Sequence, residues 1–365
     1  MTAIISKVAR WYRTFYLLGK PSPLITHLIL SNICNYNCSF CYLDSEEEKY
    51  TLSLEKFDEL VKELRVLGTY YLYLSGGEPL MVKDIGGYLS LAKKSIPYLH
   101  IVTNGSLLDQ TMASLLNRCG VDEVSLSLDA MEKTHNLYRR NEQAFSSIIA
   151  GIENLKRFAS KVKITCTTVI APWNIEEQKS LSELCESLGV EQRYQAFQEY
   201  PMVMEKQGEK SLLTREFVDR LREFVKSLPR NKVDYYLRLQ LEYFSSLIEE
   251  GKLRHPLFHD SCLLPYFYVN ILGSGEVSPC YGVKSRLYPG TGYINPPKEF
   301  NIFKNSLGRI LEDALYREMV YELRGCPECK RYFASCYIRP RLSFPLGNWI
   351  RYRLRTPHRA SYKYP

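Results

Sequence analysis

Apolar positions in the first two thirds of the chain switch repeatedly between two periods. LITHLILSN (24–32) is a nearly continuous apolar run and predicts a buried strand, while LSLEKFDELVKELRVLG (52–68) places its apolar residues at helical spacing and ends on Gly68. The same exchange follows in YYLYLSGGEP and DIGGYLSLAKKS, then in YLHIVTNGS and LLDQTMASLLNRCG. It continues through EVSLSLDA and FSSIIAGIENLKRFAS, KVKITCTTVIAP and IEEQKSLSELCESLG, and finally VEQRYQAFQEY and REFVDRLREFVKS. The predicted strands are rich in Val, Ile, Thr and Tyr, as parallel strands covered on both faces are. Right-handed crossovers would roll six such units into a partial (β/α)6 TIM-like barrel over residues 21–228, an α/β fold.

Beyond residue 228 the pattern changes. Residues 229–257, with LQLEYFSSLIEEGKL, predict a helical connector. From 258 to about 340, glycine, proline and cysteine punctuate short strands and one helix, predicting a small cysteine-rich α+β domain. No internal repeat beyond the β/α alternation and no low-complexity segment interrupts the chain.

Composition narrows the class. The 365 residues are 45% hydrophobic with a mean hydropathy of −0.25, enough for a substantial core. No apolar stretch reaches the roughly 18 residues that cross a bilayer. Lys7, Arg10 and Arg13 break the apolar run at the start, so a cleaved secretory signal is not expected. Eleven cysteines without an export signal point to metal or redox chemistry in the cytoplasm more than to disulfides.

The net charge of +8 is unevenly placed: residues 1–20 carry four basic residues and 330–365 carry nine, neither stretch with an acid, so the middle is at −5. On a helical wheel Ile4, Ile5, Val8, Trp11, Tyr12, Phe15 and Leu18 fall on one side of residues 2–18, and Ser6, Lys7, Arg10, Arg13 and Thr14 on the other. That is the pattern of an interfacial membrane helix, with the basic aromatic tail 341–365 as a second contact. Peripheral attachment at the inner face of the membrane is one reading; a helix plugging the barrel and a solvated strap is the other. A nucleic-acid partner is not expected, because the body is acidic and no such motif is present.

The chemistry sits where predicted strands end. SNICNYNCSFCYL carries Cys34, Cys38 and Cys41 after the first strand. Spacing alone leaves a zinc site open, with His27 or His135 as fourth ligand. Three thiolates on one loop also suit a [4Fe–4S] cluster that leaves one iron without a protein ligand, and such an open position marks a reactive centre. Cys119, Cys166 and Cys185 fall inside barrel elements and read as small core residues.

The C-x3-C-x2-C triplet with Phe40 before its last cysteine, followed in register by Gly76-Gly77-Glu78-Pro79, resembles the radical S-adenosylmethionine (radical SAM) enzymes. The resemblance implies that Cys34, Cys38 and Cys41 hold a catalytic [4Fe–4S] cluster whose free iron binds S-adenosylmethionine. Reductive cleavage then yields methionine and a 5′-deoxyadenosyl radical that takes a hydrogen from the substrate. It further implies that Gly76, Gly77, Glu78 and Pro79 meet the methionine amino group, and that Asn104, Ser127 and Asp129 contact ribose or carboxylate. Val169 and Ile170 would line the adenine with Phe40, although the family's fifth-strand motif is only loosely present in TTVIAPWN.

Cys262, Cys280, Cys326, Cys329 and Cys336 remain. With Gly275 and the CPEC pair they resemble the auxiliary-cluster domains called SPASM and twitch, which implies a second, fully ligated [4Fe–4S] cluster on Cys262, Cys280, Cys326 and Cys329, with Cys336 as a replacement or free thiol. A zinc ribbon is the alternative for these cysteines. Full ligation suits electron transfer, so the expected net reaction is an oxidation or bond formation. The expected partners are an electron donor such as ferredoxin or flavodoxin and a substrate that is lipid-linked, peptide or small. With 33 residues ahead of Cys34, a leader-peptide-binding module fused ahead of the barrel is not expected. A non-catalytic iron–sulfur or zinc scaffold is the competing class.

Overall fold

The computed structural model describes residues 21–41, 48–197, 214–228, 264–280 and 297–323. Its centre is a single sheet of eight strands in the order β6-β5-β4-β3-β2-β1-β7-β8. The strands are β1 (Ile25–Ser31), β2 (Tyr71–Gly76), β3 (Tyr98–Thr103), β4 (Glu123–Ser127), β5 (Lys163–Ile170), β6 (Glu191–Ala196), β7 (Tyr268–Leu272) and β8 (Val277–Ser278). All neighbouring pairs from β6 to β7 are parallel, and only β8 runs antiparallel. The α/β alternation expected from the sequence is therefore present, strand for strand, through β6.

The helices α1 (Leu54–Leu67), α2 (Ile85–Ser95), α3 (Gln110–Arg118), α4 (Glu132–Arg139), α5 (Ala144–Phe158) and α6 (Gln178–Ser187) fill the crossovers, and α7 (Arg215–Ser227) follows β6. Local chemistry explains α1. The Ser53 hydroxyl accepts from Lys56 N at its start, Gly68 takes the left-handed conformation at its end, and Phe57, Leu60, Val61 and Leu64 form its buried stripe.

Side-chain alternation gives the sheet two different faces. Leu28, Leu30, Leu72, Leu74, Leu99, Ile101, Val124, Leu126 and Cys166 join helix residues in one aliphatic core. The intervening positions include His27, Tyr73 and His100 at matched register, and Ser125 matched to Thr165 two residues further along β4 and β5. They are linked on that opposite face: His27 and His100 both meet the Tyr73 ring edge-on, and His100 Nε2 and Ser125 Oγ lie 2.8 Å apart. One face is oil, the other is polar and aromatic.

The second half brings a difference. Tyr268–Ser278, grouped by its sequence character with the cysteine-rich region, adds to the barrel sheet, with β7 pairing in parallel with β1 from Ile25↔Tyr268 to Ile29↔Leu272. Val269 and Ile271 join the aliphatic core, which is why this edge accepts another strand. A short helical turn α8 (Leu264–Phe267) precedes β7; α9 (Leu307–Glu312) and α10 (Ala314–Glu322) follow β8. Gly308 N donates to Glu63 of α1 at 3.3 Å, tying this segment to the first crossover.

The basic amphipathic segment 1–20, the connector 229–257 and the tail 341–365 lie outside the described residues. Among the described residues no helix is long and apolar enough to cross a membrane.

Candidate functional site

The carboxyl ends of parallel strands leave backbone groups and loop side chains free to build a site. Here the loop 32–41 rises from β1 and is tied down on three sides. From β2, Gly77 N donates to Ser31 O and Glu78 N to Ile33 O, both at 2.8 Å. From β3, Asn104 Nδ2 reaches Asn35 Oδ1 at 2.9 Å and Cys34 Sγ at 3.8 Å. From α4, Ser39 N donates to Tyr138 O at 2.9 Å and Arg139 Nη1 to Cys38 Sγ at 3.8 Å. Cys34 is exposed and Cys38 and Cys41 are half-buried, and none of the three is in a disulfide.

The glycine pair is expected to let the backbone approach a ligand, yet its first service is to the cysteine loop itself. A Cβ on Gly76 would sit 2.2 Å from Ser31 O, and Gly76 has a φ of +154° that side-chain-bearing residues rarely adopt. Glu78 turns inward and is wholly buried. Its Oε1 accepts from Leu80 N at 3.0 Å and Thr103 Oγ1 at 2.7 Å, and its Oε2 from Asn104 N at 2.7 Å. Burial pushes its carboxyl up to about 7 against the pull of these donors. Glu78 thus braces the β2 loop against the β3 loop, while Pro79 opens a single buried 3-10 turn.

Asp129 is equally engaged. Its Oδ2 accepts from Arg139 Nε and Nη2 at 2.8 and 2.5 Å, and its Oδ1 from Val169 N at 3.0 Å. Val169 O accepts from Asn174 Nδ2 at 2.7 Å, and the Ile170 side chain is buried with its carbonyl taken by Phe197 N. Ser127 differs from Asp129: it is half-buried at the end of β4, on the polar face.

Two functional features are not visible in the sequence pattern. Trp173, just past β5, stacks on Tyr138 with ring centroids 4.0 Å apart and on Phe40 at 5.6 Å. Arg139 covers the Phe40 ring at 5.2 Å. The order Arg139, Phe40, Trp173, Tyr138 makes an aromatic stack beside the cysteine loop. An aromatic directly after a β5 strand end is the available signal for Trp173; nothing in HNLYRR distinguishes Arg139 from Arg140.

Of the histidines considered as zinc ligands, His27 has both ring nitrogens engaged and His135 its Nδ1. His27 has Tyr268 OH at 3.2 Å on Nδ1 and Ser75 Oγ at 2.5 Å on Nε2. His135 accepts from Asp129 N at 3.2 Å, and burial, with Arg139 nearby, holds its imidazole down to about 4. The three thiols form a donor set with N–H groups aimed at two of its sulfurs, which fits a cluster bound by three thiolates. Burial pushes the Cys38 thiol up while the Arg139 charge pulls it back.

Cys166 and Cys185 are buried core residues, and Cys119 is half-buried at the end of α3. Of the second cysteine set only Cys280 is described; it is half-buried after β8, and its carbonyl accepts from Ser278 Oγ at 3.0 Å. Gly275, in the β7–β8 turn, has a φ of +96° and no room for a Cβ, which would lie 2.3 Å from Asn301 Oδ1. Cys262, Cys326, Cys329 and Cys336 lie outside the described residues.

Residues 28–185 match the model of the Radical SAM superfamily. The chain is 30% identical over 155 residues to the Fe-coproporphyrin III synthase of Methanosarcina barkeri, covering 42% of this chain and 38% of that protein. It is 25% identical over 327 residues to the AdoMet-dependent heme synthase of the same organism, covering 84% and 88%. Among solved structures, Streptococcus suis SuiB bound to S-adenosylmethionine superposes with a TM-score of 0.61 at 18% identity, over 86% of this chain and 71% of that one. The chain spans under half the length of several curated relatives that it matches.

Proposed function

We propose, because residues 28–185 match the Radical SAM superfamily model, that this protein is an enzyme that cleaves S-adenosylmethionine reductively and takes a hydrogen atom from a bound substrate. The observation that carries the reading is the cysteine loop: three thiols outside any disulfide, on a loop clamped by Gly77, Asn104 and Arg139, at the carboxyl edge of a parallel sheet. Cys34, Cys38 and Cys41 are the residues to hold the cluster. A [4Fe–4S] group there, reduced by one electron, supplies the electron that splits S-adenosylmethionine into methionine and the 5′-deoxyadenosyl radical.

The chain's own part is positioning and exclusion of water. The backbone of Gly76–Pro79 and the Ser127 hydroxyl line the edge where the methionine and ribose groups bind, while Asn104 keeps the loop in place. The stack of Phe40, Trp173 and Tyr138 walls the side of the loop assigned to the adenine. Glu78 and Asp129 hold the loops and strands that frame this site. The polar face below, with Tyr73, Ser75 and Ser127, receives the substrate. A ferredoxin- or flavodoxin-type donor supplies the electron.

Cys262, Cys280, Cys326 and Cys329 would hold a second cluster, with Cys336 in reserve, whose chemistry there would be to pass an electron to or from the substrate. The net reaction is then an oxidation or a bond formation. Substituting Cys262, Cys326 and Cys329 by alanine should lower iron and sulfide content to roughly half; unchanged content would remove the second cluster.

Anaerobic reconstitution tests the main reading. Wild-type protein given dithionite and S-adenosylmethionine should release 5′-deoxyadenosine, and the C34A/C38A/C41A variant should not. Equal release from both would end the proposal. Mass spectrometry of peptides, lipids and heme-type precursors from cells with and without the gene then identifies the substrate; heme-type precursors belong in that set because the heme synthase is matched nearly end to end.

A further inference from the structure

Resting on the cluster reading above, we propose that Arg139 and Asp129 form a charge-compensated pair that sets the reduction potential of the group bound through Cys38. Arg139 is here a positioning residue that acts through the sulfur of its neighbour.

Arg139 lies at the end of α4 and only 9% of its surface is exposed. Every face of its guanidinium is used. Nε and Nη2 hold Asp129 Oδ2 at 2.8 and 2.5 Å, Nη1 points at Cys38 Sγ at 3.8 Å, and the plane lies over Phe40 at 5.2 Å. Asp129 is fixed from a third element by Val169 N at 3.0 Å. The charge is thus held at the sulfur by β4, α4 and β5 together, with neither partner free to swing.

A purely structural role leaves two facts unexplained. Buried ion pairs contribute little net stability against apolar replacements, so packing α4 does not require one. Nor does anchoring Asp129 require the remaining nitrogen to face a thiol, since Nε and Nη2 on Oδ2 and Val169 N on Oδ1 already satisfy the carboxylate. Hydrogen bonds to cluster sulfurs and local net charge are what tune iron–sulfur potentials. In a buried setting both charges are screened by salt far less than surface charges are.

The sign follows from the geometry. Reduction adds one negative charge to the group on Cys38. Arg139, in contact with the sulfur, favours that charge, and Asp129, behind it, opposes it. Arg139→Gln removes the cation and leaves the anion, so the potential should fall. Asp129→Asn removes the anion and leaves the cation, so it should rise. A tenfold change in the one-electron equilibrium, about 59 mV, is the expected size in each direction.

The test is a potentiometric titration of anaerobically reconstituted full-length protein, followed by electron paramagnetic resonance. The first-loop signal is identified by its change on adding S-adenosylmethionine. Opposite shifts in R139Q and D129N, with R139K close to wild type, support the inference. Shifts of the same sign, or none in either variant, overturn it. Should R139Q fail to retain iron, D129N decides alone, and an unchanged or lowered potential overturns the inference. A wild-type protein with no S-adenosylmethionine-responsive cluster is a different result, since it removes the underlying cluster reading itself.

Discussion

Gly77 packs so tightly under Ile33 that a Cβ on it would stand 2.1 Å from the Ile33 carbonyl oxygen and 2.9 Å from Cys34 N. Both neighbours are backbone, so no side chain can move aside. Gly77→Ala must therefore push the cysteine loop away from β2, breaking the bond from Glu78 N to Ile33 O. We expect G77A to fold but to lose most of its first-loop iron on reconstitution. Gly308→Ala is the control: its nearest neighbour, a Leu67 methyl, would be 3.9 Å from the new Cβ, and iron content should not change. Equal iron in G77A and wild type would show that the loop is not held by this contact.

Trp173 joins two rings that come from different parts of the chain, Phe40 from the cysteine loop and Tyr138 from α4. Aromatic pairs of this kind are worth about 0.5–1.5 kcal/mol each beyond their buried area. Trp173→Ala removes both contacts and should weaken S-adenosylmethionine binding by about tenfold, measured by equilibrium dialysis on the reconstituted protein. Trp173→Phe should recover most of that loss. Unchanged binding in W173A would separate the stack from the nucleotide.

How far the sequence shows this site depends on the kind of signal each part carries. The alternating strands and helices through β6, the cysteine triplet and GGEP are local patterns, and local patterns survive in a linear reading. Helix α4 is different. Of its eight residues only His135 and Arg139 are buried, so it has no apolar stripe for periodicity to detect. The inward turn of Glu78 depends on donors 25 and 26 residues away, and that of Asp129 on an arginine 10 residues on. β7 is a short apolar run whose place beside β1 is decided by a pairing about 240 residues distant in the chain, as in Ile25↔Tyr268. Long-range partners, not residue types, are the missing information.

His135 gives a pH prediction with a definite sign. Its imidazole titrates near 6.5 when the chain is unfolded, and burial with Arg139 nearby lowers that to about 4 in the folded protein. Above pH 6.5 neither state carries the extra proton. Between 6.5 and 4 only the unfolded chain takes it up, so stability should fall as pH falls; below 4 this contribution levels off. The full effect is about 3 kcal/mol, because each tenfold loss of proton affinity on folding is worth about 1.4 kcal/mol. His135→Asn keeps an acceptor for Asp129 N but cannot titrate. Urea unfolding of reduced, metal-free protein at pH 7, 6, 5 and 4 should show a shallower acid slope for H135N. Parallel slopes would mean that His135 is already charged when folded.

At the opposite end of the sheet, Glu123 and Arg193 form a buried pair, joined by Tyr98 OH at 2.6 Å from Glu123 Oε2 and by Thr165 Oγ1 at 3.2 Å from Oε1. Burial alone would raise the Glu123 carboxyl, but His100 and Arg193 overturn that and hold it below its ordinary value. Removing Arg193 leaves the buried Glu123 charge with His100 as its remaining close partner, a loss of up to about 3–5 kcal/mol, whereas removing both charges costs far less. Arg193→Met should therefore lower the urea midpoint strongly, and the double variant R193M/E123Q should regain at least half of that loss despite carrying one more substitution. The cysteine loop lies at the far edge of the same strands, so 5′-deoxyadenosine release by folded R193M at low temperature should stay near wild type. Additive losses in the double variant would show that Glu123 is neutral in the folded protein and that the pair contributes through shape alone.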